Sequence, residues 1–187
     1  LFMIVGSLPF VLYLKFVHGD WKNFFKDDQI KLFIIISIIL IFLTTIWLKF
    51  FLQENIYYSL RIASFNIISI LTGTGYISSN FNLWGGFGLT VMFIIMFIGG
   101  CAGSTTGGVK IFRLKLLFGA AQSQIKRLTQ PHGVFVTFFN QKPVAEDTFS
   151  SIMGFFFMYI LIFILAAIIL SFLGLDFLTA ISAAASA

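Results

Sequence analysis

The chain has 187 residues, 59% hydrophobic and only 10% charged, with a formal net charge of +5. Soluble domains carry about a quarter charged residues, so this composition excludes an ordinary soluble fold and points to an integral membrane protein. The apolar runs are continuous rather than alternating every second residue, which excludes a β-barrel and leaves an all-α membrane protein.

Residues 1 to 17 read as the closing turns of a membrane helix, with Lys15 at its polar end. A charged linker follows from His18 to Lys31. Leu32 to Leu48 is uncharged, and with Lys49 snorkelling the run extends through Leu52 to a full span, anchored at the interface by Trp47. Gln53 to Arg61 is short and polar. Ile62 to Leu71 is apolar but only ten residues long, a rise of about 15 Å and half a bilayer. Such a segment is expected to dip in as a half-helix and return as extended backbone from Thr72 to about Leu83, with Trp84 at the interface. A helical pattern then covers Trp84 to Phe118, broken by the small residues of Gly99–Gly108. Gly119 to Asp147 is a second linker, Thr148 to Leu175 another span, and Asp176 onward a second short segment. The predicted units are therefore the end of a preceding helix (1–17), a cytoplasmic linker (18–31), a complete span–half-helix–span repeat (32–118), a second linker (119–147) and the start of a further repeat (148–187).

Charge orients this arrangement. Ten of the twelve Lys and Arg residues lie before residue 32 or between 110 and 147, leaving only Lys49 and Arg61 on the other side. Positive charge marks the cytoplasm, so the half-helix enters from outside. The same segregation makes the basic balance a topology signal rather than one for nucleic acid. Cys101 is the sole cysteine, so no internal disulfide or thiolate cage can form. His18 and His132 fall in linkers and read as solvated. The opening Leu1-Phe2-Met3-Ile4-Val5 lacks the basic start of a signal peptide, and both ends look cut, so the sequence reads as an internal fragment.

From Ile62 to Val109 there is no Asp, Glu, Lys or Arg across 48 residues. Irregular backbone inside this run is tolerated only if buried in protein or lining a watery cavity. A cation crossing the membrane needs its hydration shell replaced, which backbone carbonyls in an extended segment can do. Pointing successive carbonyls at one axis requires dihedrals that glycine adopts readily. Thr72, Gly73, Thr74, Gly75 and Tyr76 meet that need, and the half-helix before them points its negative end inward. The second break is Gly99, Gly100, Cys101, Ala102, Gly103, Ser104, Thr105, Thr106, Gly107 and Gly108, followed by Lys110. It superficially resembles a phosphate-binding loop, G-x-x-x-x-G-K-[ST], but Val109 separates glycine from Lys110 and Ile111 replaces the metal-binding hydroxyl. Glycine spacing for helix packing accounts for some of the stretch. Five glycines and three hydroxyls in ten residues exceed that need and fit a constriction or gate below the filter.

These residues carry a resemblance. Phe65 through Tyr76, Leu83-Trp84, and Met96 through Arg113 with its Gly-Gly-Cys-Ala-Gly-Ser-Thr-Thr-Gly-Gly-Val-Lys core resemble the Trk/Ktr/HKT potassium-transporter superfamily, specifically a TrkH-type subunit. The resemblance implies four span–half-helix–span repeats around one K+ channel-like pore. This chain would hold the end of the second, all of the third and the start of the fourth. It implies K+ uptake across a bacterial inner membrane by a multi-pass, non-enzymatic protein with no bound cofactor and K+ as the transported ion. It further implies pairing as a homodimer on cytosolic nucleotide-binding regulatory subunits (TrkA-like), faced by the basic linker Lys110–Lys142. Gly75 would be the filter glycine and Gly99–Gly108 the gating loop. The family often has Thr where this chain has Gly73, which bears on K+ over Na+ selectivity. Two other readings compete: a membrane-embedded nucleotide-driven pump or enzyme subunit using Gly103–Lys110, and a scaffold without transport.

Overall fold

A computed structural model describes residues 1–19, 26–130, 133, 137–140, 142–144 and 146–186. His132 and the part of the first linker from Asp20 to Phe25 lie outside them. The chain divides into two compact units, Leu1–Ile111 and Phe112–Ala187.

The first unit opens not on the end of one helix but on two short ones, α1 (Phe2–Gly6) and α2 (Phe10–Val17). Pro9 separates them: it has no N–H to give and sits at φ −65° in extended conformation. α3 (Asp28–Leu52) starts at an Asp27 cap, whose carboxylate accepts the Gln29 and Ile30 N–H groups at 2.8 and 3.4 Å. Its 25 residues are long and apolar enough to cross a membrane. Ile30, Phe33, Ser37, Thr44 and Leu48 are buried along one stripe. The hydroxyl of Ser37 turns back to the Phe33 carbonyl at 2.8 Å, so close packing costs no orphaned donor there.

α3 stops at Gln53 in the left-handed conformation (φ 53°), and two residues later Asn55 caps α4 (Ile56–Leu71). The half-helix is therefore 16 residues long rather than ten, because Arg61 rides on its exposed side without interrupting it. Its rise of about 24 Å still falls short of the hydrocarbon thickness. Ser59, Ile62, Ala63, Asn66, Ile67 and Leu71 are buried at helical spacing, and this face packs on α3 and on α5.

A short 3-10 turn (Phe81–Trp84) leads into α5 (Gly85–Met96). Trp84 is buried rather than interfacial, with 1% exposure. Its carbonyl accepts the Trp47 indole N–H at 2.7 Å, and Trp47 stacks on Phe51 with centroids 5.3 Å apart. Both tryptophans thus serve internal packing. A Cβ on Gly88 would lie 2.5 Å from that of Trp84, so this approach of the two residues is open only to glycine.

In the second unit α6 (Ile111–Thr129) runs past Phe118, so the linker expected to begin at Gly119 starts as helix. A minimal hairpin, β1 (Phe138–Phe139) and β2 (Lys142–Pro143), pairs antiparallel. α7 (Glu146–Phe172) contains the second membrane-length apolar stretch, Thr148–Phe172. It closes on Gly174 (φ 93°) with the paired bonds of a Schellman end, Leu175 N to Leu170 O at 3.4 Å and Gly174 N to Ser171 O at 3.0 Å. α8 (Phe177–Ser186) follows at once and packs back on α7. Helix, tight turn and shorter helix thus recur.

Candidate functional site: two breaks in the apolar helices

The first break begins where α4 ends. Thr74 N–H reaches back to Ser69 O at 2.9 Å and Gly73 N–H to Ile70 O at 3.0 Å, with Gly73 at φ 66°. This is again a Schellman end, and it satisfies the last helical carbonyls within four residues. The chain then leaves in a new direction, passes Gly75 at φ 78° and runs on without regular structure to the Phe81 turn. Among the described residues, no carbonyl from Thr72 to Tyr76 accepts a hydrogen bond. The Thr72 and Thr74 hydroxyls lie 2.7 Å apart. Gly73 to Ser78 are exposed in this chain.

What holds the returning strand is a residue that sequence reasoning passed over. Asn66, fully buried on α4, accepts the Ser78 N–H at 3.1 Å and donates to the Ser78 hydroxyl at 2.9 Å. It also donates to Ile62 O at 2.9 Å. One amide thereby fixes the far end of a loop twelve residues away in sequence. The available signal was an amide on the buried face of an apolar half-helix, where a polar group persists only with partners.

The second break, Phe97–Lys110, closes on itself. Gly99 N–H donates to Val109 O and Val109 N–H to Phe97 O, both at 2.9 Å, bringing the two legs side by side. A Cβ on Gly99 would stand 2.0 Å from the Gly107 carbonyl oxygen, and one on Gly100 would stand 2.7 Å from the Thr106 hydroxyl. Only glycine permits this approach. Inside the loop Gly100 N–H donates to Thr106 Oγ1 at 2.9 Å, and Ser104 Oγ to Cys101 O at 2.6 Å. Cys101 is buried and free.

Lys110 turns its ammonium onto the loop, donating to Ser104 O at 3.3 Å, to Thr106 Oγ1 at 3.1 Å and to Thr106 O. In a phosphate cradle that ammonium would serve a ligand; here it holds the loop's own carbonyls. α6 starts directly behind, with Ile111 N–H on Gly100 O at 3.0 Å.

The loop also answers the break between α1 and α2. Cys101 N–H donates to Ser7 O and Phe10 N–H to Gly103 O, each at 3.0 Å, and Thr105 Oγ1 donates to Gly6 O at 3.1 Å. From α3, Gln29 accepts the Ala102 N–H at 2.8 Å. Backbone groups freed by one interruption thus satisfy those freed by another, as a segment shielded from water requires. Gln29, Ser7 and Pro9 were missed in sequence because each is unremarkable alone. The two breaks also meet: a Cβ on Gly73 would lie 3.7 Å from the Gly107 nitrogen. Gly73 of the first break and Gly107 of the second are thus neighbours. Among the described residues there is no cluster of His, Cys, Asp or Glu suited to a metal ion.

Residues 1–187 match the family model described as TrkH, cation transport protein. The chain belongs to the TrkH family. The Trk system potassium uptake protein TrkI of Halomonas elongata is 37% identical over the whole chain, which covers 38% of that protein. TrkH of Salmonella typhimurium is 30% identical over 94% of the chain, covering 37% of its own length. The crystal structure of the potassium transporter TrkH from Vibrio parahaemolyticus superposes with a TM-score of 0.92 at 30% identity, over 99% of this chain and 40% of that one. The chain spans about two fifths of the length of these TrkH-family relatives. The family is one of membrane-embedded transport proteins rather than enzymes.

Proposed function

We propose that this chain is part of the pore-forming subunit of a potassium uptake system in a bacterial inner membrane. Thr72, Gly73, Thr74, Gly75 and Tyr76 supply backbone oxygens that replace the hydration shell of K+, one quarter of a ring completed by the other repeats. The loop from Gly99 to Gly108, held by Lys110, is the constriction beneath them. The carrying observation is the Schellman exit at Gly73, which uses up the helix's last carbonyls while those of Thr72–Tyr76 accept no hydrogen bond among the described residues. Carbonyls unused by the fold are available to an ion. The relatives' names, potassium uptake proteins, favour K+ as the ion.

The working protein, on this reading, is a multi-pass homodimer seated on cytosolic nucleotide-binding regulatory subunits, which bind at the basic linker Lys110–Lys142. No residue acts as a catalyst and the chain itself binds no cofactor.

Replacing Gly75 tests this most directly. Its φ of 78° strains any side chain, although open space surrounds it, so Gly75→Ala in the full-length protein changes carbonyl direction more than packing. Rb+ uptake in the presence of Na+ is expected to lose discrimination between the two ions. Unchanged ion preference at normal expression refutes the filter assignment.

A further inference from the structure

The second unit contains a cavity of about 510 Å3 between the C-terminal half of α6, the root of the hairpin and the first turns of α7. Leu117 and Ala121 of α6 and Phe149 and Met153 of α7 give it apolar walls. Ser123, Gln124, Thr137 and Arg127 give it one polar side, and among the described residues no acidic side chain lines it. The fold builds this space. A Cβ on Gly119 would lie 2.5 Å from the Thr137 methyl, and the Ser123 hydroxyl lies 3.3 Å from that of Thr137. The hairpin root is thereby pressed on α6 just beside the opening.

The basic residues of α6 are not equivalent. Arg113 lies over the Phe155 ring at 3.8 Å and Lys115 faces the Phe139 ring at 5.8 Å. Arg127 makes no hydrogen bond or ion pair with the described residues, and it lines the cavity. Depth is set by α7, whose apolar stretch begins at Thr148. Phe149 and Met153 therefore lie at the start of that apolar stretch, while Lys126 and Arg127 occupy the last turn of α6.

We propose that this cavity is a binding site for an anionic phospholipid of the leaflet on the basic, cytoplasmic side. Its acyl chain would lie along Leu117, Ala121, Phe149 and Met153, with its phosphate on the Arg127 guanidinium. The match is chemical at both ends. A guanidinium presents paired donors to phosphate oxygens, and anionic lipids concentrate in the cytoplasmic leaflet, where basic pockets between helices hold their headgroups. A soluble metabolite would leave the apolar wall unused, and an uncharged lipid would leave Arg127 without its counter-charge.

The test uses the full-length protein, delipidated in detergent, with thermal unfolding followed against added phosphatidylglycerol, phosphatidylcholine or soluble glycerol phosphate. Phosphatidylglycerol is expected to give a saturable rise in Tm, phosphatidylcholine a smaller one, and glycerol phosphate none. Arg127→Gln should weaken the apparent affinity for phosphatidylglycerol about five-fold, the share of one basic residue at an anionic surface. Ala121→Trp, or Met153→Trp from the opposite wall should the first not fold, should remove the saturable rise. A phosphatidylglycerol response unchanged by Arg127→Gln and by the filled cavity overturns the proposal. So does an equal response to phosphatidylcholine, or a response to glycerol phosphate alone, which would mark a free-anion site.

Discussion

Asn66 offers the sharpest test of how the chain shapes the stretch proposed to face the ion. Its side chain is fully buried and makes two bonds to Ser78, at 2.9 and 3.1 Å, across the whole loop that contains Thr72–Tyr76. Asn66→Ala removes both. Each bond of this type contributes ~1 kcal/mol net, so the returning strand loses ~2 kcal/mol of preference for its position, a factor of roughly 30 in the population of displaced conformers. Ser78→Ala removes only the hydroxyl bond, ~1 kcal/mol, and should displace the strand about five-fold. Rb+ uptake against Na+ in proteoliposomes of the full-length protein should therefore lose selectivity in the order wild type, Ser78→Ala, Asn66→Ala. The double variant should behave like Asn66→Ala, with a coupling of ~1 kcal/mol between the sites. If Asn66→Ala keeps the wild-type Rb+ to Na+ ratio at normal expression, the clamp does not set the geometry of Thr72–Tyr76.

Further outcomes concern the second break and the last helix. Gly99→Ala would drive a Cβ to 2.0 Å from the Gly107 oxygen and force the loop's legs apart, costing ~3 kcal/mol or more; Gly103→Ala meets open space at φ 77° and costs ~1–2 kcal/mol. Thermal unfolding of the full-length protein should rank them in that order, and equal melting would contradict the close approach. Lys110→Met removes the donor shared by Ser104 O, Thr106 O and Thr106 Oγ1 and should raise Rb+ flux while loosening its control by cytosolic nucleotide; flux that stays fully regulated would discount a gate here. At α8, the Thr179 hydroxyl and N–H hold the Asp176 carboxyl below its ordinary value. A lowered folded value means this contribution is complete above the unfolded carboxylate range and is lost as pH falls through the folded one. Protection of the amides at the start of α8, taken relative to the intrinsic exchange rate at each pH, should fall below about pH 4 in the wild type and stay flat in Asp176→Asn.

The membrane class, the two long spans and both interruptions were legible because each leaves a mark in composition or spacing. The limits of elements were less so. The half-helix was placed from Ile62 because Arg61 looks like a boundary, yet an arginine on an exposed face costs a helix nothing, and the cap that counts is Asn55. α6 was ended at Phe118 because hydropathy falls there, but polarity does not stop a helix once its residues are good helix formers, and it runs to Thr129. Trp84 was assigned to the interface by its type; its burial follows from Gly88 one turn on, a contact that no sequence window displays. Ser7, Gln29 and Asn66 share the same difficulty. Each acts through a partner far along the chain, and such pairing is a property of packing alone.

That pairing also constrains how the loop could move. Four backbone N–H groups tie it or its neighbour in place: Gly100 on Thr106, Cys101 on Ser7, Ala102 on Gln29, and Phe10 on Gly103. Breaking them in a dry environment would strand donors and acceptors at several kcal/mol each, a sum well beyond what a regulatory event supplies, since coupling energies between sites run to about 1–3 kcal/mol. Breaking them where water can enter exchanges each for a bond to water, at ~1 kcal/mol net. The loop can therefore open only if water reaches it as it does so. On the proposed reading of this loop as a constriction, a hydrated route and a displaced loop are then one event, held back by the same hydrogen bonds that satisfy the interrupted helices.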